Sequence, residues 1–349
     1  MKVALQASPW NRRDLFEAAG FETIEGPCRT EDDLIDLLRE ADGAQVGVIP
    51  LTSRRVLEAC PQLKVVSRMG VGVDSIDLDA ATELGILVCN VPGVNTAEVA
   101  DHAMALLLTM TRRLHDAIPS TRAGGWSSDR ALTVSYLESV RRIAGHTVGI
   151  LGFGDIGKAF ATRVRVFGPA RIIACDPYVR PSSAQIHGVE LMSLEEMLAQ
   201  SDFVSVHCSA TAETRHLLNA RTIALMKPTA ILVNTARGAI IDGAALAEAL
   251  ATGVIEAAAL DVTEIEPIDP ADRLLALPNC IVTPHLAGFS PTFLDDCPRM
   301  QAENVVNVLT GVAPHGLANP EVIKTIAGMR ADDPGRWRGV PDFSTALRL

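Results

Sequence analysis

The chain is short of basic charge, of paired cysteines and of long apolar runs, and each shortage closes off a class of protein. Lys and Arg number 31 against 42 Asp and Glu, a formal net charge of −11. A nucleic-acid binder carries a basic footprint, so this balance argues against nucleic acid as a partner. The seven cysteines, Cys28, Cys60, Cys89, Cys175, Cys208, Cys280 and Cys297, include no CxxC pair, which removes the common zinc and redox motifs; no metal is expected. Several lie in apolar runs such as Ile172-Ile173-Ala174-Cys175, where cysteine acts as a small buried hydrophobe. Free thiols fit a reducing, cytoplasmic location. The opening Met1-Lys2-Val3-Ala4-Leu5-Gln6 lacks the apolar segment of a signal peptide. The richest apolar helix candidate, Ala103 to Met110, is too short to span a bilayer, so no membrane is expected. No short-period repeat is visible.

What is present is alternation. A chain of 349 residues that is 48% apolar suggests two domains, each with a sizeable core. Val3-Ala4-Leu5, Val46-Gly47-Val48-Ile49, Lys64-Val65-Val66 and Ile86-Leu87-Val88 read as buried strands, with helices at Leu34 to Arg39 and Arg54 to Ala59 between them. A second series holds Val148 to Leu151, Ile172 to Cys175, Phe203 to Val206, Ile231 to Val233 and Ala257 to Leu260. Nearly continuous apolar strands separated by helices predict parallel sheets covered on both faces. The expected fold is α/β with two doubly wound parallel-sheet domains. A long helix, Thr96 to Leu114, should cross from one to the other, and a helix at Phe293 to Leu309 should return to the first. The boundaries are then 1–95 plus about 291–326 for the smaller domain, 96–290 for the larger, and 327–349 for a polar, loose C-terminal extension.

The strongest local motif is Gly152-Phe153-Gly154-Asp155-Ile156-Gly157. Alone, GxGxxG is weak. Here it follows a strand, opens the helical pattern Ile156 to Phe167, and precedes a strand ending in Asp176, the spacing of a dinucleotide fingerprint. The first glycine permits the tight turn, the second lets backbone N–H groups reach the pyrophosphate, and the third lets helix and strand pack closely. Asp176 would accept the ribose hydroxyls and repel the extra phosphate of NADP, which favours NAD. Arg180 is the counterweight, since an arginine there can hold that phosphate. The plainer reading of Asp176 is a strand-end turn residue before Pro177. The larger domain is therefore read as a Rossmann NAD-binding domain, and the smaller, also doubly wound, as flavodoxin-like.

Three later segments end strands: Asn234-Thr235-Ala236-Arg237-Gly238, Asp261-Val262-Thr263-Glu264-Ile265-Glu266-Pro267 and Thr283-Pro284-His285-Leu286-Ala287-Gly288. Arginine, carboxylate and histidine suit hydride transfer at a carbon bearing a hydroxyl beside a carboxylate. Arginine grips the carboxylate through its planar fork, histidine handles the hydroxyl proton, and the carboxylate orients the imidazole. Taken singly, Arg237 and Glu266 would pass as surface ion-pair residues and His285 as a loop histidine.

With Arg68-Met69-Gly70-Val71-Gly72-Val73-Asp74-Ser75-Ile76-Asp77 and Asn90-Val91-Pro92-Gly93-Val94-Asn95-Thr96 upstream, the ordered set over about residues 44–321 resembles the D-isomer-specific 2-hydroxyacid dehydrogenases, phosphoglycerate dehydrogenase and hydroxypyruvate reductase among them. The resemblance implies that Arg237 binds substrate carboxylate and carbonyl, that Glu266 pairs with His285, and that His285 is the acid/base. It places substrate contacts at Val71 and Gly72, and cofactor contacts at Thr96, Cys208, Thr214, Thr235, Ala236, Asp261 and Gly288 besides the glycine loop and Asp176. It implies a small 2-hydroxy or 2-keto acid substrate and a homodimer. The residues around Pro50-Leu51-Thr52 leave the substrate open among phosphoglycerate, hydroxypyruvate or glyoxylate, and larger apolar keto acids; formate and phosphonate oxidation are runner-up chemistries.

Three departures stand out. His207-Cys208-Ser209-Ala210-Thr211 lacks the family's proline after the fourth cofactor strand, which frees φ there; Cys208 reads as a small cofactor-lining residue, or alternatively a reactive thiol. The stretch Ala131 to Ile143 is longer than usual and would cover the cleft or the dimer surface. The tail has no family counterpart. An NAD(H)-sensing binding protein of corepressor type, which keeps the same Arg/Glu/His set, is the alternative function.

Overall fold

The computed structural model describes residues 1–332 and 335–342. The chain divides into two compact units, Met1–Asn95 with Ser290–Leu349, and Thr96–Phe289. Both are built on parallel sheets.

The first unit contains β1 (Lys2–Gln6), β2 (Glu22–Gly26), β3 (Gly43–Val46), β4 (Val65–Arg68) and β5 (Leu87–Cys89), in the order β2-β1-β3-β4-β5. Every pairing is parallel, and this is the flavodoxin-type winding. β3, β4 and β5 are buried along their whole length, Gln45, Ser67 and Arg68 included, because helices cover both faces. One cover is the helix Pro291–Thr310. It lies so close that a Cβ on Gly43 would meet Val305 Cγ1 at 2.7 Å, and its Gln301 amide donates to Val46 O (3.2 Å) and Ser67 O (3.1 Å). The expected strand over Val46–Ile49 is corrected by this packing. The strand lies three residues earlier, at Gly43–Val46, where the glycine admits the helix, while Val48 and Ile49 are exposed.

The second unit contains β6 (Thr147–Leu151), β7 (Arg171–Cys175), β8 (Glu190–Leu191), β9 (Phe203–Val206), β10 (Ile231–Asn234), β11 (Ala257–Leu260) and β12 (Cys280–Val282). Their order is β12-β11-β10-β9-β6-β7-β8, again all parallel. The direction of winding reverses at β6. In open α/β sheets ligands bind beyond the carboxyl ends of the strands at such a switch point. The helix Thr96–Thr111 buries Val99, Ala100, Ala103, Met104, Leu106 and Leu107. It stops three residues short of the expected Leu114, where Arg113 turns left-handed at φ 56°.

The chain past Ala327 is not loose where it is described. The helix Val322–Asp332 runs through that boundary. Trp337 is fully buried in the first unit's core with Val340 and Ile326, and its indole donates to Gly85 O at 3.0 Å. One tryptophan outweighs the polar residues around it, since burying an aromatic ring of this size dominates a local core. Residues 333–334 and 343–349 of the expected extension lie outside the described residues. No helix among the described residues is long and apolar enough to cross a membrane.

Candidate active site

The glycine turn leaves β6 under tight constraint. Gly152 has φ +91°, and a Cβ there would lie 2.4 Å from Cys208 N; a Cβ on Gly157 would meet Gly152 O at 2.3 Å. Both positions need glycine. A Cβ on Gly154, by contrast, would meet nothing within 4 Å, so the space before the helix Asp155–Arg165 is open to a ligand. Gly154 and Asp155 are exposed and Ile156 half-buried. Asp176 follows β7 directly, and its carboxylate accepts Phe153 N (2.8 Å) and Tyr178 N (2.9 Å), tying the glycine loop to the end of the next strand. Each carboxylate oxygen has a further lone pair for a ribose hydroxyl. Two buried polar atoms near the same edge, Thr235 Oγ1 and His207 Nδ1, have no partner, as a site shaped for a polar ligand would leave them. Open space before a helix N-terminus, a carboxylate at the next strand and orphaned polar atoms together fit a dinucleotide.

The other expected cofactor positions are spread around this edge. Thr96 opens the helix Thr96–Thr111, Ala236 and Gly288 are half-buried in the loops after β10 and β12, and Thr214 staples its own loop by donating to Ser209 O at 2.6 Å. Cys208 is half-buried, and burial pushes its thiol up to about 12, which removes the thiolate a reactive cysteine needs. All seven cysteines are free.

His285 Nδ1 lies 2.6 Å from Glu266 Oε2. The other carboxylate oxygen of Glu266 accepts Thr263 N at 3.0 Å, which fixes the carboxylate before the histidine reaches it. His285 adopts φ +50°, a conformation that costs a non-glycine residue about 1–3 kcal/mol and persists only when its surroundings enforce it. Asp261, at the end of β11, supplies the enforcement. Its side chain is completely buried and accepts Thr283 Oγ1 (2.5 Å), Leu286 N (3.0 Å) and Ala287 N (2.8 Å), while His285 N donates to Asp261 O at 2.9 Å. His102 Nε2 stands 3.4 Å from the same carboxylate. These bonds hold the Asp261 carboxyl below its ordinary range although burial alone would raise it. Asp261, expected as a cofactor contact, therefore spends its hydrogen bonds on the loop that carries His285. His102 was missed from sequence; it follows Asp101 on a helix that also carries Glu98, so nothing in the linear pattern set it apart.

Arg237 is half-buried after β10. Its carbonyl accepts Asn234 Nδ2 (3.0 Å), and Nη1 donates to Ala236 O (2.7 Å). The next residue, Gly238, presses against the Glu266 segment: a Cβ there would lie 1.9 Å from Thr263 C. Arg237, Glu266 and His285 thus come from the adjacent strands β10, β11 and β12 at one sheet edge, with the first two segments in direct contact. Val71 (exposed) and Gly72 (half-buried) belong to the first unit, in a turn held by Asn90 Nδ2 donating to Val71 O at 2.8 Å and by Val91 N donating to Gly70 O at 3.0 Å.

Comparison with known proteins is consistent with this chemistry. Residues 104–287 match the family described as D-isomer specific 2-hydroxyacid dehydrogenase, NAD binding domain. The chain is 41% identical over 288 residues to D-3-phosphoglycerate dehydrogenase of Mycobacterium leprae, covering 82% of this chain and 52% of that protein. It therefore spans about half the length of that relative. It is 40% identical over 311 residues to glyoxylate reductase of Aeropyrum pernix, covering 89% and 90% of the two chains. Among solved structures it resembles an NADPH-dependent glyoxylate/hydroxypyruvate reductase of Sinorhizobium meliloti in complex with NADP and malonate, with a TM-score of 0.78 at 30% identity over 91% of this chain and 97% of that one. These relatives lend no support to the dinucleotide-sensing alternative.

Proposed function

The chain belongs to the D-isomer-specific 2-hydroxyacid dehydrogenases, and on that premise we propose that it moves a hydride between NAD(H) and C2 of a small D-2-hydroxy or 2-keto acid. The observation that carries this reading is the His285–Glu266 pair at 2.6 Å, at the same sheet edge as Arg237. The bound nicotinamide supplies or accepts the hydride. The Arg237 guanidinium binds the substrate carboxylate and draws charge from the C2 oxygen. Glu266 takes the Nδ1 proton of His285 as a hydrogen bond, which leaves Nε2 to face the substrate oxygen. In reduction Nε2–H gives its proton to that oxygen; in oxidation neutral Nε2 removes the hydroxyl proton. The imidazolium formed in oxidation is stabilised by the Glu266 carboxylate.

Turnover of a panel of 2-keto acids with NADH tests the reading. Glyoxylate, hydroxypyruvate and larger apolar keto acids belong in that panel. Loss of turnover in His285→Ala with NADH binding retained is the expected result. Absence of turnover of any 2-keto acid by the wild type would refute it.

We further propose a homodimer formed through the second unit. The helices Leu114–Arg122, Gly125–Ser128 and Arg130–Ser139 contain no buried residue. They expose Trp126 (75%) and Leu137 (72%) together with Ile118 and Leu114, an apolar arm of the kind a second copy covers.

A further inference from the structure

Asp176 alone does not decide between NAD and NADP here, because Arg180, four residues on in the same segment after β7, carries the opposite charge. The structure adds a second carboxylate. β7 and β9 flank β6, so the loops that follow them stand on either side of the glycine turn. The first loop is Asp176-Pro177-Tyr178, and Tyr178 N is pinned to Asp176 Oδ1 at 2.9 Å. The second is Ser209–Arg215, stapled internally by Thr211 N donating to Thr214 Oγ1 (2.8 Å) and Thr214 Oγ1 donating to Ser209 O (2.6 Å). One side-chain hydrogen bond joins the two loops: Tyr178 Oη donates to Glu213 Oε2 at 2.7 Å. Both carboxylates act on that phenol. Its hydroxyl is held above the usual tyrosine range by Glu213 first and by Asp176 as well.

In a doubly wound sheet the carboxylate closing the second strand marks the place of the adenosine ribose hydroxyls. A 2′-phosphate added there brings close to two negative charges. The segments after β7 and β9 supply Asp176, Glu213 and Arg180, while Arg215 of the second loop is paired with Glu264 at 3.4 Å; the balance is one excess negative charge where Asp176 and Arg180 alone would cancel. We propose that Glu213, positioned by Tyr178, is a second specificity-determining residue of the cofactor site and turns the preference toward the dinucleotide without a 2′-phosphate. This rests on the NAD(H) reading above. Tyr178 and Glu213 are exposed, so the effect is screened by salt and amounts to roughly two- to fivefold in affinity.

The test is equilibrium binding, read from nucleotide fluorescence without turnover. Kd values for NADH and NADPH are measured for the wild type, Glu213→Gln, Tyr178→Phe and, as a reference, Asp176→Ser. Glu213→Gln should tighten NADPH about two- to fivefold and leave NADH essentially unchanged, and Tyr178→Phe should shift the ratio the same way by less. Both shifts should shrink in high salt. An unchanged NADPH/NADH ratio in Glu213→Gln, with the ratio relaxed in Asp176→Ser, overturns the role of Glu213 and leaves the dehydrogenase reading standing. A wild type that binds neither dinucleotide overturns both.

Discussion

Replacing Asp261 by Asn removes one charge and one acceptor from the post that holds the histidine loop. In the wild type Oδ1 receives Thr283 Oγ1 and Leu286 N, and Oδ2 receives Ala287 N. Asn keeps one carbonyl oxygen and adds an NH2. If the NH2 takes the place of Oδ2 it faces the buried Ala287 N–H, donor against donor. If it is flipped it faces Leu286 N, and only the rotatable Thr283 hydroxyl can adapt by accepting. Either orientation strands one backbone N–H, at a cost of about 1–3 kcal/mol. For a unit of this size that corresponds to about 2–4 °C per kcal/mol, so a mid-range loss lowers Tm by about 4–8 °C. The catalytic loss should be larger than the stability loss suggests. The same bonds enforce φ +50° at His285, and a relaxed loop moves the imidazole away from Glu266. We expect kcat/KM to fall more than about tenfold with the Kd for NADH little changed. Thr283→Val, which removes one of the bonds without stranding a backbone group, should do less.

The pH dependence gives an independent check. The Asp261 carboxyl titrates lower in the fold than in the unfolded chain, so its stabilisation is complete above the ordinary carboxylate range and is lost as pH falls through the folded-state value. The stability difference between wild type and Asp261→Asn should be flat from neutral to mildly acidic pH and shrink below about pH 4. Thermal unfolding across pH, with kinetics at neutral pH, measures both. A variant with wild-type Tm and kcat/KM, or a difference that persists undiminished in strong acid, would refute the assignment.

Other perturbations follow from the same geometry. Arg237→Lys keeps charge and loses the fork; kcat/KM should drop by about tenfold or more, and a change within twofold would remove Arg237 from the substrate. Glu266→Gln keeps a hydrogen bond to His285 Nδ1 but not the charge, and a loss of about 1.5–3 kcal/mol in transition-state stabilisation is expected, read as kcat/KM with NADH affinity unaltered. Burial holds His207 down at about 3 against 6.5 when free, so between those values the unfolded chain takes a proton that the fold refuses. Stability should fall by about 1.4 kcal/mol per pH unit below about 6.5, and urea unfolding at pH 7 and pH 5 should show a smaller fall in His207→Gln than in the wild type. For the apolar arm, the double substitution Trp126→Glu with Leu137→Glu should shift a dimer to monomer in sedimentation equilibrium, and a wild type already monomeric at micromolar concentration would rule out the proposed interface.

The linear chain by itself carried the α/β class, because apolar strands buried on both faces announce themselves as continuous runs, and it carried the family through the order of its motifs. It was silent on β2, β8 and β12. β2 is polar in sequence, Glu22-Thr23-Ile24-Glu25-Gly26, and never more than partly buried; β8 spans two residues, too few for any period to register, and β12 is a short edge strand of which only Cys280 is buried. The place of β3 depended on a distant helix fitting over Gly43, and the order of the tail on a single tryptophan. The candidate site divides in the same way. Arg237, Glu266 and His285 could be named because chemistry restricts which residue types can do these tasks. The long-range contacts around the site could not, since His102 lies 159 positions from Asp261 in sequence, and Glu213, which joins the two cofactor loops through Tyr178, is 35 residues from it. Such pairings depend on which strands become neighbours and on how closely backbones approach at Gly152 and Gly238. Only the folded sheet sets those distances, because each is the sum of many packing contacts and none is encoded by the residues that meet.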